Sequence, residues 1–118
     1  MPKRQRRDPF VAALGRRIRE LREEKSLTVE KLAWESGVAG KGFVSETEHG
    51  RALPSLLTLS RLAERLEVEL IDLVNANPRG PRSELLEVTR LLATADVQKL
   101  LQEAKRVSPK VAPRARKT

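Results

Sequence analysis

Apolar residues recur at helical intervals from the start of the chain. Phe10, Leu14, Ile18 and Leu21 lie four, four and three apart, which gathers them on one helical face, with Arg16, Arg17, Arg19, Glu20 and Glu23 around the rest. Pro9 suits the first turn, where its missing N–H leaves no bond unmade. Ser26 ends this helix and Leu27 is expected to drop into the core. A second helix is predicted after Thr28, whose hydroxyl suits an N-cap, although Lys31 stands where a capping box has Glu. It turns Leu32 and Ala33 inward and stops at Gly37, a residue that tolerates positive φ. A third runs from Ala39 or Gly40 to Glu48, buries Phe43 and Val44, and ends at His49-Gly50. Ser55, directly after Pro54, caps a fourth with Leu59, Leu62, Ala63 and Leu66 at core spacing. A short fifth, about Glu69 to Val74, brings Leu70, Ile71, Leu73 and Val74 mostly inward.

Two prolines, a glycine and two asparagines between Asn75 and Pro81 mark a linker over 76–82. Beyond it Leu85, Val88, Leu92 and Ala95 form one apolar stripe, and Leu86, Val97, Leu100, Leu101 and Ala104 add to it. Thr94 reads as a cap opening a second helix, so the segment 83–106 is one bent helix or a helical hairpin. It cannot bury its own apolar side chains. A linker of this kind leaves them to a partner rather than to the first domain. Residues 1–8 and 107–118 are polar and basic and read as a disordered arm and tail. The fold class is all-α: a five-helix domain over 9–75 with a helical segment after it.

Composition narrows the function. No cysteine and one histidine exclude disulfides and thiolate metal sites, and no metal or cofactor is expected. No apolar run approaches the roughly 18 residues that span a bilayer, and the basic N-terminus lacks the apolar region of a secretory signal. A soluble, cytoplasmic, nucleoid-associated protein with no membrane partner is expected. No catalytic pairing stands out, and Gly40-Lys41-Gly42 is too short for a phosphate loop, so the chain does not read as an enzyme. The net charge of +8 is uneven: residues 1–7 carry +4 through Lys3, Arg4, Arg6 and Arg7, residues 8–76 carry −2, and residues 77–118 carry +6. Basic ends attract phosphate regardless of base sequence. The second and third helices are separated only by Ser36-Gly37-Val38. Two short helices on such a turn form a helix-turn-helix, which places a helix in the DNA major groove.

These blocks resemble the Cro/repressor-like XRE family of bacterial and phage helix-turn-helix regulators over about residues 12–74. The likeness is carried by Leu14-Gly15, Ile18-Arg19, Leu21-Arg22, Leu32-Ala33, Gly37-Val38, Ser45, Glu48, Gly50, Pro54-Ser55, Leu59 and Leu62-Ala63, in that order. The resemblance implies a lambda-repressor-like fold and DNA binding. It also implies that Arg22 and Glu48 form a partly buried ion pair that orients the reading helix; losing one partner of such a pair costs about 3–5 kcal/mol. Thr28, Lys31 and Arg51 match phosphate-contacting positions, and the Lys3, Arg4, Arg6 and Arg7 arm would enter an adjacent minor groove. The chain departs from the family pattern at the reading surface. Val29 replaces a common glutamine, about one extra residue lies between Gly37 and Ser45, and Thr47 replaces a core aliphatic. Glycines at 40 and 42 cost about 1 kcal/mol each relative to alanine and offer no side chain to a base. Readout then rests on Lys41, Ser45 and His49, with Glu46 repelling phosphate but able to accept from cytosine N4. The expected function is sequence-specific regulation of transcription on double-stranded DNA, as a repressor or autoregulator. A homodimer through Leu85, Val88, Leu92, Leu100 and Leu101 is expected. The alternative is a protein-interaction adaptor of the same fold, with a protein partner on the same C-terminal helices.

Overall fold

The computed structural model describes residues 8–38, 40–76 and 79–108. All regular structure among them is helical: α1 (Pro9–Glu24), α2 (Val29–Ser36), α3 (Gly40–Glu48), α4 (Leu56–Arg65), α5 (Leu70–Val74), α6 (Gly80–Arg90) and α7 (Thr94–Val107). The arm residues Lys3, Arg4, Arg6 and Arg7 and the tail beyond Ser108 lie outside the described residues.

One core joins the first five helices. Leu14, Ile18, Leu21, Leu32, Val44, Leu62, Leu66 and Leu73 are almost wholly buried, each side chain contributing about 1.5–3 kcal/mol by leaving water. Leu27 closes the core beneath the turn after α1, where Ser26 adopts a positive φ of 54°. The helix starts are built by short polar side chains. The hydroxyls of Thr28 and Ser55 accept from the amides of Lys31 and Thr58, and the Asp8 carboxylate accepts from the Phe10 amide at 2.7 Å. Asp8 thus belongs to the cap of α1 rather than to the arm.

Three core expectations shift. Phe10 is 49% exposed, because it sits in the first turn of α1 beyond the edge of the core, and Ala13 takes the buried position. Phe43 is only half-buried, leaving Val44 and Thr47 as the inward residues of α3. Ile71 is 49% exposed while Asp72 is buried, since α5 is oriented by its capping box. In it the Glu69 amide donates to the Asp72 carboxylate at 2.9 Å.

The C-terminal segment is two helices. Helix α6 begins at Gly80, inside the stretch read as a linker, and Leu91-Leu92 turn the chain into α7. Thr94 is the first helical residue of α7 and makes no cap bond; Ala93 holds the N-cap position, and the helix runs one residue past the expected end, to Val107. Helix α6 is not left free of the first domain. Ion pairs tie Glu87 to Arg17 and Arg90 to Glu24. Leu85, Val88, Leu92, Leu100 and Leu101 all remain exposed.

Candidate nucleic-acid interface

The turn between α2 and α3 is set by one glycine. Gly37 adopts φ 68° and ψ 23°, the left-handed conformation that an L side chain resists. Its amide and that of Val38 then reach back to the carbonyls of Trp34 and Ala33 at 3.2 and 3.3 Å, closing α2. Trp34 itself points away from the core and is 86% exposed, beside Gly37, Val38, Gly40 and Lys41.

Helix α3 is clamped from behind at three points. Val44 and Thr47 are buried, and the Thr47 hydroxyl donates to the Phe43 carbonyl at 2.9 Å, which lets a polar side chain stand in an apolar place. Gly15 of α1 meets the last turn of α3 so closely that a Cβ there would lie 2.3 Å from the Thr47 carbonyl oxygen and 2.7 Å from that of Glu48. Arg22 completes the clamp: its Nε and Nη2 donate to the two Glu48 carboxylate oxygens at 2.7 and 3.0 Å, and Nη1 donates to the Leu27 carbonyl at 2.7 Å. The Glu48 hydrogen bonds hold the Arg22 guanidinium above its ordinary pKa, against the opposing effect of burial. A bidentate contact has one geometry, so it fixes the rotation of α3 as well as its position.

The outward face of α3 carries Lys41, Glu46 and His49, with Ser45 half-buried between them. The His49 ring is pinned, its Nδ1 lying 2.7 Å from the Ser45 carbonyl oxygen. A carbonyl only accepts, so Nδ1 carries the proton of the neutral ring and Nε2 is left as an acceptor. Glu46 is engaged by Arg51, which donates to both carboxylate oxygens at 2.8 and 3.1 Å and is thereby raised above its ordinary pKa. Lys41 faces the Glu30 carboxylate of α2 at 3.7 Å. Thr28 and Lys31 are exposed at the start of α2, the Thr28 hydroxyl being occupied as its cap. Of the predicted contact residues, the structure thus pairs Ser45 with His49 and Glu46 with Arg51, sets Lys41 against Glu30 of α2, and leaves Thr28 and Lys31 at the start of α2, the end away from the α2–α3 turn.

The Glu46–Arg51 pair and the seat of Gly15 escape sequence reasoning in different ways. Positions 46 and 51 are five apart across the turn at Gly50, a spacing that no helical periodicity flags. Gly15 gave a signal, a lone glycine inside a helical pattern, which marks close packing. Among the described residues no cluster of His, Asp or Glu is arranged to hold a metal ion, and no helix is long and apolar enough to cross a membrane.

Comparison with known proteins gives this geometry its family. The model of the helix-turn-helix domain matches residues 13–76, just over half of the chain. The chain belongs to the XRE-type helix-turn-helix family. Among XRE-type relatives, the HTH-type transcriptional repressor RghR of Bacillus subtilis (strain 168) is 44% identical over 59 residues. That match covers 49% of this chain but only 43% of RghR, so the chain spans less than half of that relative's length. The restriction-modification controller protein C.AhdI from Aeromonas hydrophila has the same fold, with a TM-score of 0.52 and 36% identity over 53% of this chain and 94% of that one. The SinR/SinI protein complex contains a chain similar over 79% of this one and 95% of its own length, with 25% identity and a TM-score of 0.56. The family match runs from within α1 to just past α5, and α6 and α7 lie beyond it.

Proposed function

We propose that this chain is a sequence-specific DNA-binding transcriptional regulator, acting as a repressor or autoregulator in the cytoplasm, on the nucleoid. One observation carries the reading: α3 is clamped through Gly15, Arg22 and Glu48 while its Lys41, Glu46 and His49 face is open to solvent. A recognition helix needs both conditions, a rigid back and a free front. Helix α3 enters the major groove with Lys41, Ser45 and His49 toward base edges, and Thr28, Lys31 and Arg51 toward phosphates. Arg51 exchanges its Glu46 carboxylate for a phosphate, and the released Glu46 can accept from cytosine N4. Because Lys41 and Arg51 each face a carboxylate, the reading surface has little net attraction for DNA. Affinity therefore leans on Lys3, Arg4, Arg6 and Arg7 and on the basic tail. Two chains joined through Leu85, Val88, Leu92, Leu100 and Leu101 present two reading helices to half-sites about one helical turn, roughly 34 Å, apart.

The same neutral surface favours a second reading, a protein-interaction adaptor. Trp34 is exposed beside Lys41, Leu53, Leu56 and Leu57 are exposed as well, and SinR is known in complex with a protein, SinI. A gel shift on the duplex upstream of the chain's own gene, against an unrelated duplex, separates the two. A shift that survives an excess of the unrelated duplex supports the regulator. Equal binding to both, lost at about 200 mM salt, refutes specific readout and favours the adaptor.

A further inference from the structure

Helix α6 rests on the first five helices without joining their core. The buried apolar cluster lies wholly between Leu14 and Leu73, and no residue of α6 or α7 is buried. Between the two parts runs a cleft of about 590 Å³, with Val68 and Asp72 on one side and Leu86, Thr89 and Leu92 on the other. A helix seated by the hydrophobic effect would close that cleft. What holds α6 is polar. Arg17 of α1 is only 6% exposed; its Nε donates to the Asp72 carbonyl of α5 at 2.8 Å and its Nη2 pairs with Glu87. Arg90 donates to both oxygens of Glu24, the last residue of α1, at 3.1 and 3.3 Å, and lies 3.6 Å from Glu87. The Ser83 hydroxyl donates to the Asn75 side-chain oxygen at 3.3 Å. Burial pushes the Glu87 carboxyl up, but Arg17 and Arg90 outweigh it and hold the group below its ordinary pKa, so it is ionised at neutral pH.

The same junction also works against docking. Arg90 Nε and the Asn75 side-chain nitrogen are buried there without a hydrogen-bond partner among the described residues. A buried donor with no acceptor has lost its water and gained nothing in return. Undocking α6 would give both donors back to water, while it would part the two ion pairs. Charge thus favours the docked state, the two orphaned donors favour release, and no buried apolar side chain of α6 decides between them. We propose that α6 is a charge-held latch: it releases α6 and α7 from the folded five-helix domain when the Arg17–Glu87 and Arg90–Glu24 pairs are weakened. The core is the same in both states, because neither helix contributes to it. Docked, the latch fixes the direction of α6 and α7 relative to the reading helix; released, it leaves that direction unset. Dissolved ions are the agent, since salt screens the pairs and anions compete for the two arginines. The latch needs neither DNA nor a second copy of the chain.

The absence of cysteine makes the latch measurable by spin labels on the full chain. A label pair at Arg61→Cys and Glu84→Cys, diluted with unlabelled chain, reads the α4–α6 distance within one chain. A second pair at Arg16→Cys and Arg61→Cys, both exposed, reads the α1–α4 distance inside the five-helix domain. In about 0.1 M KCl both distributions should be narrow, and in about 1 M KCl the α4–α6 distribution alone should widen by about twofold or more. Glu87→Gln should widen the same distribution at the lower salt, with the α1–α4 distance unchanged. Should Glu87→Gln lose helix content, Glu24→Gln, at a half-exposed position, weakens the same latch and should have the same effect. An α4–α6 distribution that stays narrow at the higher salt, or in a folded variant, overturns the proposal. So does one that is already broad in the native chain at the lower salt, because nothing would then be latched. Widening of both pairs together overturns it as well, since release would be unfolding of the whole domain.

Discussion

At Gly15 a hydrogen atom stands where any other residue would place carbon, and the last turn of α3 occupies the difference. Gly15→Ala should therefore destabilise the fold by about 3 kcal/mol, because the atoms it meets are backbone carbonyls that cannot rotate aside. Glu48 and Glu46 give a second contrast within one helix. Glu48 is buried against Arg22, whereas Glu46 is exposed beside Arg51. Glu48→Ala should cost about 3 kcal/mol by leaving Arg22 with an unmatched charge, and Glu46→Ala less than about 1 kcal/mol. Thermal melts of the two variants check this, and equal losses would remove Glu48 from the clamp. Periodicity found the leucines at these depths but not the partners of the charges. Which carboxylate an arginine meets depends on loop geometry, and Arg17, placed among the outer residues of α1 by its spacing, proves to be buried between α5 and α6.

The elements themselves were largely legible. Caps and breakers carry local chemistry, so Thr28, Gly37 and Ser55 mark their boundaries in the sequence as they do in the fold. Elements shorter than two turns were less so: in five-residue α5 the capping box, not the apolar pattern, decides which side faces in. The opening of α3 is a weak point by composition, and its two glycines differ. Gly40 holds φ 65°, which alanine adopts only under strain, while Gly42 has open space around a Cβ and no positive φ. Gly42→Ala should stabilise the domain by about 0.5–1 kcal/mol, and Gly40→Ala should destabilise it. Denaturant midpoints would show the opposite signs. If Gly42→Ala weakens DNA binding while stabilising the fold, the bare first turn serves close approach to the duplex.

On the scale of the whole molecule, the excess positive charge lies outside the residues 8–76 that carry the fold. Deleting residues 1–7 and 108–118 removes eight Lys and Arg and should flatten the dependence of log affinity on log salt. An unchanged slope would make the ends bystanders. Light scattering should find the full chain dimeric and the chain 1–80 monomeric, since the exposed leucines of α6 and α7 go with the second half. A dimeric 1–80 would move the interface to the helix-turn-helix unit. This arrangement also bears on how the chain can be watched. Trp34 is its one tryptophan, it has no tyrosine, and the indole is already in water. Emission should accordingly change little when denaturant unfolds the chain, making intrinsic fluorescence nearly blind to stability. The same indole lies beside the α2–α3 turn, so a shift in its colour or its quenching by iodide would report whatever settles on that surface.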